Sequence, residues 1–309
     1  MGRIIFLNPF GKGAITGGVK TAYKQVEILE ELGFDAWVYQ PEGMPGWFKS
    51  HARIMTSWTA PGPKDVLVFP ETINGPLTQM IQARYPSKKV LFCQAQYYAI
   101  FSELPVESCT ELFDRVVCQS KIAKGFMERV FGLKNVGVIP CYVDSKLFYP
   151  RGNAMQVALI PRKLPREAAA IAKVFGLKYP QHRSVPWAVL QESSEQVVAQ
   201  TFGQSAIVLS LPFLESFGLV PLEAMASGAI VIGFHGYGAQ EYATDENGMW
   251  FPSDHIEETA DAVARVISGL KSRDPATLKI RDAGFVTAGR YNKERTRAAL
   301  REFYGPLVA

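Results

Sequence analysis

The sequence predicts an α/β protein made of two Rossmann-like domains that face each other across a cleft. The chain has 309 residues, which is long for one domain and natural for two of about 150. Short apolar runs alternate with helical patterns through both halves, and this alternation is typical of parallel sheets covered on both faces. The hydrophobic content of 48% and the charged content of 20% are those of an ordinary globular protein.

The first half is predicted to begin with a strand at 3–7, a glycine-rich loop at 11–18 and a helix at about 19–32. Gly33 ends that helix. Further strands are predicted at 35–39, 66–69, 90–93, 115–118 and 137–139. Residues 140–150 have the composition of a linker, so we place the domains at 1–145 and 146–309.

The second half repeats this alternation. Strands are predicted at 157–160, 188–190, 206–211, 229–233 and 249–251, and helices at 195–202, 219–227 and 257–270. A last helical pattern from about 293 to 304 could cross back onto the first domain. Ligands of such sheets bind beyond the carboxyl ends of the strands.

The stretch from Glu215 to Glu223 is predicted to be a turn that joins a strand to a short helix. Pro221 suits the first helical turn, and Gly228 suits the position after the last turn. Such a turn leaves backbone N–H groups pointing at one spot that suits a phosphate. The two carboxylates, with Glu223 expected in the first helical turn, could accept hydrogen bonds from hydroxyl groups. Phosphate and hydroxyls together describe a nucleotide sugar; taken alone, the pair could equally be a capping glutamate and a solvated loop charge.

Two further segments suit an anionic ligand. Arg162, Lys163 and Arg166 follow a predicted strand, where cations could stabilise the charge of a departing diphosphate, although a solvated basic loop explains them equally well. The glycines of the loop 11–18 allow backbone to approach an anion closely. This loop has neither the P-loop ending nor the dinucleotide fingerprint, and it could also bind nothing.

The whole stretch resembles the signature of retaining GT-B glycosyltransferases, especially the glycosyltransferase family 4-like group (group 1). The resemblance implies that Glu215 contacts the donor sugar near the reaction centre and that Glu223 holds the ribose. It also implies that the backbone of Ser216, Phe217, Gly218 and Leu219 touches the sugar and the diphosphate. Front-face attack by the acceptor is implied, with an amino-terminal acceptor domain and a carboxyl-terminal donor domain.

The resemblance extends beyond the signature. Gly17 and Gly18 resemble the family's glycine loop, and Glu241 matches a further family glutamate. Arg162 carries over, but the position five residues later, where the family has Lys, is Glu167. The sequence therefore leaves open whether Lys163 or Arg166 supplies the second cation of the donor site.

The main departure from the family is a missing histidine. Many relatives carry one after the strand at 90–93, where it touches the donor sugar, whereas this chain has Gln94 and Gln96. Glutamine can hydrogen-bond a hydroxyl but cannot act as a base. His235 is the one histidine that we predict as a sugar contact. The departures favour, as an alternative function, a non-catalytic pseudo-glycosyltransferase that binds nucleotide sugar or acts as a partner subunit.

No metal and no cofactor besides the donor are predicted, because the four histidines and four cysteines lack ligand spacing and there is no D-x-D motif. The net charge of +4 suits an anionic ligand but does not indicate nucleic acid. The acceptor could be a glycan, a lipid or a small molecule. We expect a cytoplasmic protein, with peripheral contact at the inner face of a membrane left open, since Trp47, Lys49 and Trp58 lie in a basic, aromatic stretch. The sequence does not indicate the oligomeric state.

Overall fold

The computed structural model describes residues 2–8, 10–104 and 108–308, and the chain divides into two compact units. The first unit comprises Met1–Cys141 together with Lys293–Ala309, and the second comprises Tyr142–Asn292. The division falls close to the boundary expected after residue 145. Each unit is built on one sheet of parallel strands and is described by itself.

The sheet of the first unit has the strand order β3-β2-β1-β4-β5-β6-β7, and all neighbours are parallel. Its strands are β1 (Arg3–Leu7), β2 (Asp35–Tyr39), β3 (Ile54–Met55), β4 (Val66–Pro70), β5 (Lys88–Cys93), β6 (Arg115–Cys118) and β7 (Gly137–Val138). The chain adds β2 and β3 on one side of β1 and then returns to add β4 on the other. The winding direction therefore reverses between β1 and β4.

The helices of the first unit connect these strands and cover the sheet. They are α1 (Gly17–Glu31), α2 (Pro76–Gln82), α3 (Gln96–Ala99), α4 (Cys109–Leu112), α5 (Lys121–Val130) and α11 (Lys293–Val308). Side-chain caps fix two of the starts: Oγ1 of Thr16 accepts from N of Val19 at 3.4 Å, and Oγ of Ser120 accepts from N of Ala123 at 3.0 Å. Such caps satisfy amides that the helix itself leaves unpaired.

The last helix, α11, is part of the core of the first unit, although it follows the whole second unit in the sequence. The ring of Tyr304 lies 6.0 Å from that of Phe6 in β1, and both side chains are buried. Nζ of Lys88 donates to the carbonyl of Leu307 at 2.6 Å. The apolar face of α11 is thereby removed from water against the sheet.

The basic, aromatic stretch of the first half packs inside its own unit. Phe48 is buried and meets Tyr23 edge-to-face at 5.3 Å. Trp58 meets Tyr39 in the same manner at 5.1 Å. The guanidinium of Arg53 forms an ion pair with Glu30 at 2.7 Å.

The sheet of the second unit has the strand order β12-β11-β10-β8-β9, again with parallel neighbours. Its strands are β8 (Ala154–Leu159), β9 (Trp187–Val189), β10 (Ser205–Ser210), β11 (Ile230–Phe234) and β12 (Met249–Phe251). Its helices are α6 (Pro165–Lys178), α7 (Glu195–Gln204), α8 (Leu219–Ala226), α9 (Ile256–Ser272) and α10 (Pro275–Gly289), with 3₁₀ turns at Pro180–His182 and Gly238–Glu241. Here the winding direction reverses between β8 and β10.

The prediction of an α/β fold with parallel sheets in both halves is confirmed. The sequence patterns did not predict the two-residue strand β3 or several helices, notably α5, α6 and α10. Within the described ranges, no helix combines the length and the apolarity that crossing a bilayer requires.

Candidate functional site

Two loops of the second unit leave its sheet at the reversal between β8 and β10. The loop after β8 carries Arg162 and Lys163, and the turn after β10 runs through Glu215 into α8. Because β8 and β10 are parallel neighbours, their carboxyl ends lie at the same edge of the sheet. Ligands of doubly wound sheets bind at such a reversal. This edge is therefore the candidate site of the second unit.

The turn between β10 and α8 has a conformation that favours glycine. Gly218 precedes α8 with φ of +77°, in the left-handed region. A Cβ atom at this position would stand 3.2 Å from Oε2 of Glu215 and 3.2 Å from Oη of Tyr242. The hydroxyl of Tyr242 donates to the carbonyl of Gly218 at 2.5 Å. Any larger side chain would disturb these close contacts.

The start of α8 is suited to an anion. The residue before this helix, Gly218, has no side chain that could cap its first amides, and the positive end of the helix dipole faces the turn. Ser216 and Phe217 are buried, so the backbone of the turn is held against the unit. Helix starts of this kind bind phosphate groups.

An ion pair joins the two loops. Nζ of Lys163 lies 2.8 Å from Oε1 of Glu215 and donates to the carbonyl of Phe213 at 3.0 Å. Both charged side chains are about a quarter exposed, at 23% and 24%. A pair at this depth stabilises the fold only modestly, by up to about 1 kcal/mol. Its main consequence is that a cation stands beside the carboxylate of Glu215 at this edge of the sheet.

Glu223 is the fifth residue of α8 and so lies in its second turn, not in the first turn as expected, although the helix begins at Leu219 as predicted. The residue is buried, with 6% of its surface exposed. Pro221 does lie in the first turn, and Gly228 follows the helix end with φ of +78°, as the sequence predicts. A buried acidic residue of this helix is a candidate contact for a ligand at the start of α8.

The hydroxyl of Tyr242 lies within electrostatic reach of both carboxylates. Burial raises the pKa of Tyr242 well above its ordinary value, and the negative charges of Glu215, Glu223 and Glu241 add to the shift. The phenol is therefore neutral at physiological pH and acts as a hydrogen-bond donor. Both glutamates therefore act electrostatically on the same buried hydroxyl.

Aromatic rings pack against Phe217 of the turn. The ring of Phe217 lies 5.8 Å from that of Tyr242 and 5.2 Å from that of Tyr291, in edge-to-face arrangements. Edge-to-face pairs of this kind contribute about 1 kcal/mol beyond the area they bury. The 3₁₀ turn Gly238–Glu241 approaches so closely that a Cβ on Gly238 would overlap the backbone of Phe217. The turn after β10 is therefore held in place both by these aromatic rings and by the 3₁₀ turn.

The remaining predicted residues of the second unit lie around this edge with different environments. Arg162 is exposed in the loop after β8, and Arg166 is exposed in the first turn of α6. Of the two candidates for the second cation, Lys163 is the one that pairs with Glu215. His235 directly follows β11 and is half-buried, and its Nδ1 lies 2.9 Å from the carbonyl of Gly236.

Gly17, Gly18, Gln94 and Gln96 lie in the first unit. Gly17 and Gly18 open α1, and a Cβ on Gly18 would stand 3.3 Å from both amide atoms of Gln94. The side-chain Oε1 of Gln94 accepts a hydrogen bond from Nε2 of Gln119. Gln96 is completely buried in α3, so it has no surface to offer a ligand in this conformation.

The sequence analysis missed several residues of these sites: Glu71, Gln119, Tyr242 and Tyr291. Glu71 follows the apolar run of β4 directly, and Gln119 follows that of β6, so a polar residue at the end of each predicted strand was a usable signal. Tyr242 and Tyr291 carry no such signal, because their contact with Phe217 depends on the tertiary fold.

Within residues 2–8, 10–104 and 108–308, no three histidine, cysteine, aspartate or glutamate side chains are grouped so that they could hold a metal ion. The four cysteines are buried and free. At the candidate edge, the second unit offers backbone amides, cations and carboxylates.

Comparisons with known proteins agree with this geometry. Residues 187–279, which run from β9 into α10 and include the turn after β10, match the family model described as glycosyl transferases group 1. An alpha-1,6-glucosyltransferase from Actinobacillus pleuropneumoniae is 25% identical over 264 residues, which cover 82% of this chain and 80% of that protein. A sucrose synthase from Thermosynechococcus vestitus is 28% identical over 160 residues, which cover 48% of this chain and 20% of that protein.

Similar solved structures cover the whole chain. The sucrose-phosphate synthase from Thermosynechococcus elongatus has a TM-score of 0.76 at 16% identity, with 99% of each chain covered. Anabaena Alr3699/HepE in complex with UDP-glucose has a TM-score of 0.70 at 14% identity, covering 99% of this chain and 100% of that one. At such identities the likeness shows a shared fold, which is the GT-B fold of two Rossmann-like domains.

Proposed function

Because residues 187–279 match the model of the group 1 glycosyl transferases and the chain has the GT-B fold of its structural neighbours, we propose that it transfers a hexosyl or deoxyhexosyl group from a nucleotide sugar to an acceptor hydroxyl, with retention at the anomeric carbon. The main support for this proposal is the arrangement of charged residues around the start of α8. At the reversal between β8 and β10, Lys163, Glu215 and the start of α8 meet, and the buried Glu223 stands in the same helix.

The donor would be held by charges and backbone amides together. Lys163, with Arg162 and Arg166 nearby, would bind the diphosphate along with the amides of Ser216 to Leu219. Glu223 would accept hydrogen bonds from the ribose hydroxyls, and Glu215 from the donor sugar. Gly17 and Gly18 would let the backbone of the first unit approach the donor closely.

The transfer step needs no covalent intermediate with the protein. The bond between the anomeric carbon and the diphosphate oxygen breaks while the acceptor oxygen bonds to the same face of that carbon. The acceptor proton passes to an oxygen of the departing diphosphate. The cations stabilise the leaving group, and Glu215 orients the sugar as positive charge develops on its ring. No metal is needed for this step.

UDP-glucose is the first donor to test. The alpha-1,6-glucosyltransferase relative is named for glucosyl transfer, and the Anabaena neighbour binds UDP and UDP-glucose. The amino-terminal unit would bind the acceptor, a glycan, a lipid or a small molecule, with Gln94 as a hydroxyl contact. His235 would be a sugar contact from the second unit.

A non-catalytic pseudo-glycosyltransferase is the second candidate. It is favoured by Gln94, which stands where the resemblance to the family implies a histidine and whose amide cannot act as a base. Such a protein would bind the nucleotide sugar without turning it over.

The test is a transfer assay with UDP-glucose and a broad acceptor panel, in which proton NMR reads the configuration of the new glycosidic bond. We expect an α-linked product, no effect of EDTA, and loss of turnover in Glu215→Gln. A β-linked product would contradict retention, and inhibition by EDTA would contradict metal independence. Donor binding without turnover across the panel would favour the non-catalytic alternative.

A further inference from the structure

The first unit has its own reversal point, and polar side chains gather there. The loop that ends in Gly17 and Gly18 follows β1, and Glu71 follows its neighbour β4. Gln94 and Gln119 follow the next two strands, β5 and β6. Since all these strands are parallel, their carboxyl ends lie at one edge of the sheet, where doubly wound sheets bind ligands.

Glu71 is a buried carboxyl group at this edge. Only 8% of its surface is exposed, and its Oε2 accepts from N of Gln94 at 3.1 Å. Burial raises the pKa of Glu71 to about 7, and the groups that oppose this shift are backbone N–H groups, those of Glu71, Gln94 and Ala95. No lysine or arginine is among them. A buried carboxyl without a cationic partner is costly for the fold, so it indicates a function.

The amide of Gln94 is oriented by the cluster and keeps a donor for a ligand. Its Oε1 accepts from Nε2 of Gln119, which is itself 6% exposed. Its own Nε2 donates to no residue within the described part of the chain. Gly18 faces this amide, and a side chain there would begin 3.3 Å from both of its terminal atoms. Any side chain larger than that of glycine would therefore crowd this amide.

The chemistry of this cluster selects for hydroxyl groups. A sugar hydroxyl both donates and accepts, so a carboxylate that accepts and an amide that donates can hold neighbouring hydroxyls of one ring. Where Glu71 is ionised, an anionic group would stand beside its negative charge, and the cluster of Glu71, Gln94 and Gln119 holds no cation to offset the repulsion.

We propose that Glu71 and Gln94, oriented by Gln119, form a subsite for an uncharged, hydroxylated acceptor sugar, and that Glu71 excludes phosphorylated or carboxylated acceptors. The proposal rests on the proposed function and narrows its acceptor class. It assigns to the first unit a specificity-determining residue, Glu71, that the donor site does not use.

The test measures sugar binding apart from turnover. The ligands are methyl glycosides of neutral hexoses and the corresponding sugar phosphates. Saturation-transfer NMR, with UDP present in excess, detects their binding to three proteins: the wild type, Glu71→Gln and Glu128→Gln. The first variant keeps the shape of the side chain and an oxygen for the amide of Gln94 but removes the charge. The second is the control, because Glu128 lies exposed on α5 beside Lys124.

We expect a neutral glycoside to bind the wild type and the control, and to bind Glu71→Gln about tenfold more weakly. Sugar phosphates should bind the wild type more weakly than neutral glycosides, and this preference should shrink in Glu71→Gln. UDP affinity and thermal midpoint should not fall in that variant, which separates sugar recognition from a structural role.

Three results would overturn the proposal without contradicting the donor site. Glu71→Gln could bind the glycosides as tightly as the wild type does, or the wild type could bind sugar phosphates more tightly than neutral glycosides. The third result is a wild-type protein that binds UDP but no glycoside. If Glu71→Gln weakened UDP-glucose but not the glycosides, the subsite would belong to the donor sugar and the acceptor assignment would be wrong. A wild-type protein that bound neither UDP nor UDP-glucose would contradict the proposed function and this proposal with it.

Discussion

At the scale of single residues, the proposed donor turn of the second unit combines residues that could be predicted from the sequence with residues that could not. Glu215 and Glu223 could be chosen from the sequence because they flank a strand-to-helix turn. Lys163 could be chosen only as one of two cations, and its contact with Glu215 at 2.8 Å distinguishes it from Arg166. Tyr242 could not be predicted, because its hydrogen bond to the carbonyl of Gly218 forms only in the folded chain.

Lys163 tests the role of the cation. Lys163→Met should lower UDP affinity about tenfold by calorimetry, because a charge that faces the diphosphate is lost. Its stability in urea should change by less than about 1 kcal/mol, since the ion pair with Glu215 is partly exposed. Lys178→Met removes a cation that pairs with Asp261 on the surface of the same unit, and it should leave UDP affinity unchanged. Equal affinities in all three proteins would exclude Lys163 from the donor site.

Glu71 predicts a pH-dependent stability. Its pKa is raised from the ordinary 4.5 to about 7 in the folded protein. Below the ordinary pKa the group is protonated in both folded and unfolded chains, and between the two values the unfolded chain loses its proton first. The wild type should therefore lose stability relative to Glu71→Gln as pH rises through this window, by up to about 3 kcal/mol.

Urea unfolding at about pH 5 and about pH 8 measures this difference. Glu128→Gln, at an exposed position, should show the same stability relative to wild type at both pH values. A difference between wild type and Glu71→Gln that did not grow with pH would mean that Glu71 ionises normally in the folded protein.

At the scale of elements, apolar runs in the sequence predicted most strands of both sheets, because buried parallel strands consist almost entirely of apolar residues. The two-residue β3 is too short to leave a pattern. Helix α10 lacks a clear apolar period: its start is fixed by Asp274, whose carboxylate accepts from N of Thr277 at 2.9 Å, and its contact with α8 uses small residues such as Gly284. The predicted start of α8 at Leu219 is the observed one, but Glu223 is the fifth residue of the helix and lies just beyond the first turn in which it was expected.

Gly218→Ala tests the turn as an element. The change should destabilise the second unit by about 1–2 kcal/mol, because φ is +77° and the new Cβ would stand 3.2 Å from Glu215 and Tyr242. UDP affinity should fall as well. Gly176→Ala is the matched control: within α6, nothing lies within 4 Å of its Cβ position, and alanine there should stabilise by about 0.5–1 kcal/mol.

Urea unfolding of both variants measures the expected loss of stability in Gly218→Ala and the expected gain in Gly176→Ala. If Gly218→Ala were as stable as the wild type and bound UDP equally well, the turn would not depend on its left-handed glycine.

At the scale of the whole molecule, the chain folds into two units with separate cores, and the proposed donor residues lie mainly in the second. Excess UDP should therefore raise the protection of the core strands β8, β10 and β11 against hydrogen exchange more than that of β1, β4 and β5. At a UDP concentration of about 100 times Kd the added stability is about 2.7 kcal/mol. Equal gains in both cores, or a gain in the first unit alone, would contradict the assignment of the donor to the second unit.

The central claim is that the turn from Glu215 to Glu223 binds a nucleotide sugar, and calorimetry with UDP-glucose on three proteins tests it most directly. Glu223→Gln preserves the shape of a buried side chain but loses the carboxylate, and Glu258→Gln is a control at an exposed position in the same unit. We predict that Glu223→Gln binds UDP-glucose about tenfold more weakly than the wild type, whereas Glu258→Gln binds as the wild type does. Unchanged affinity in Glu223→Gln would contradict the claim.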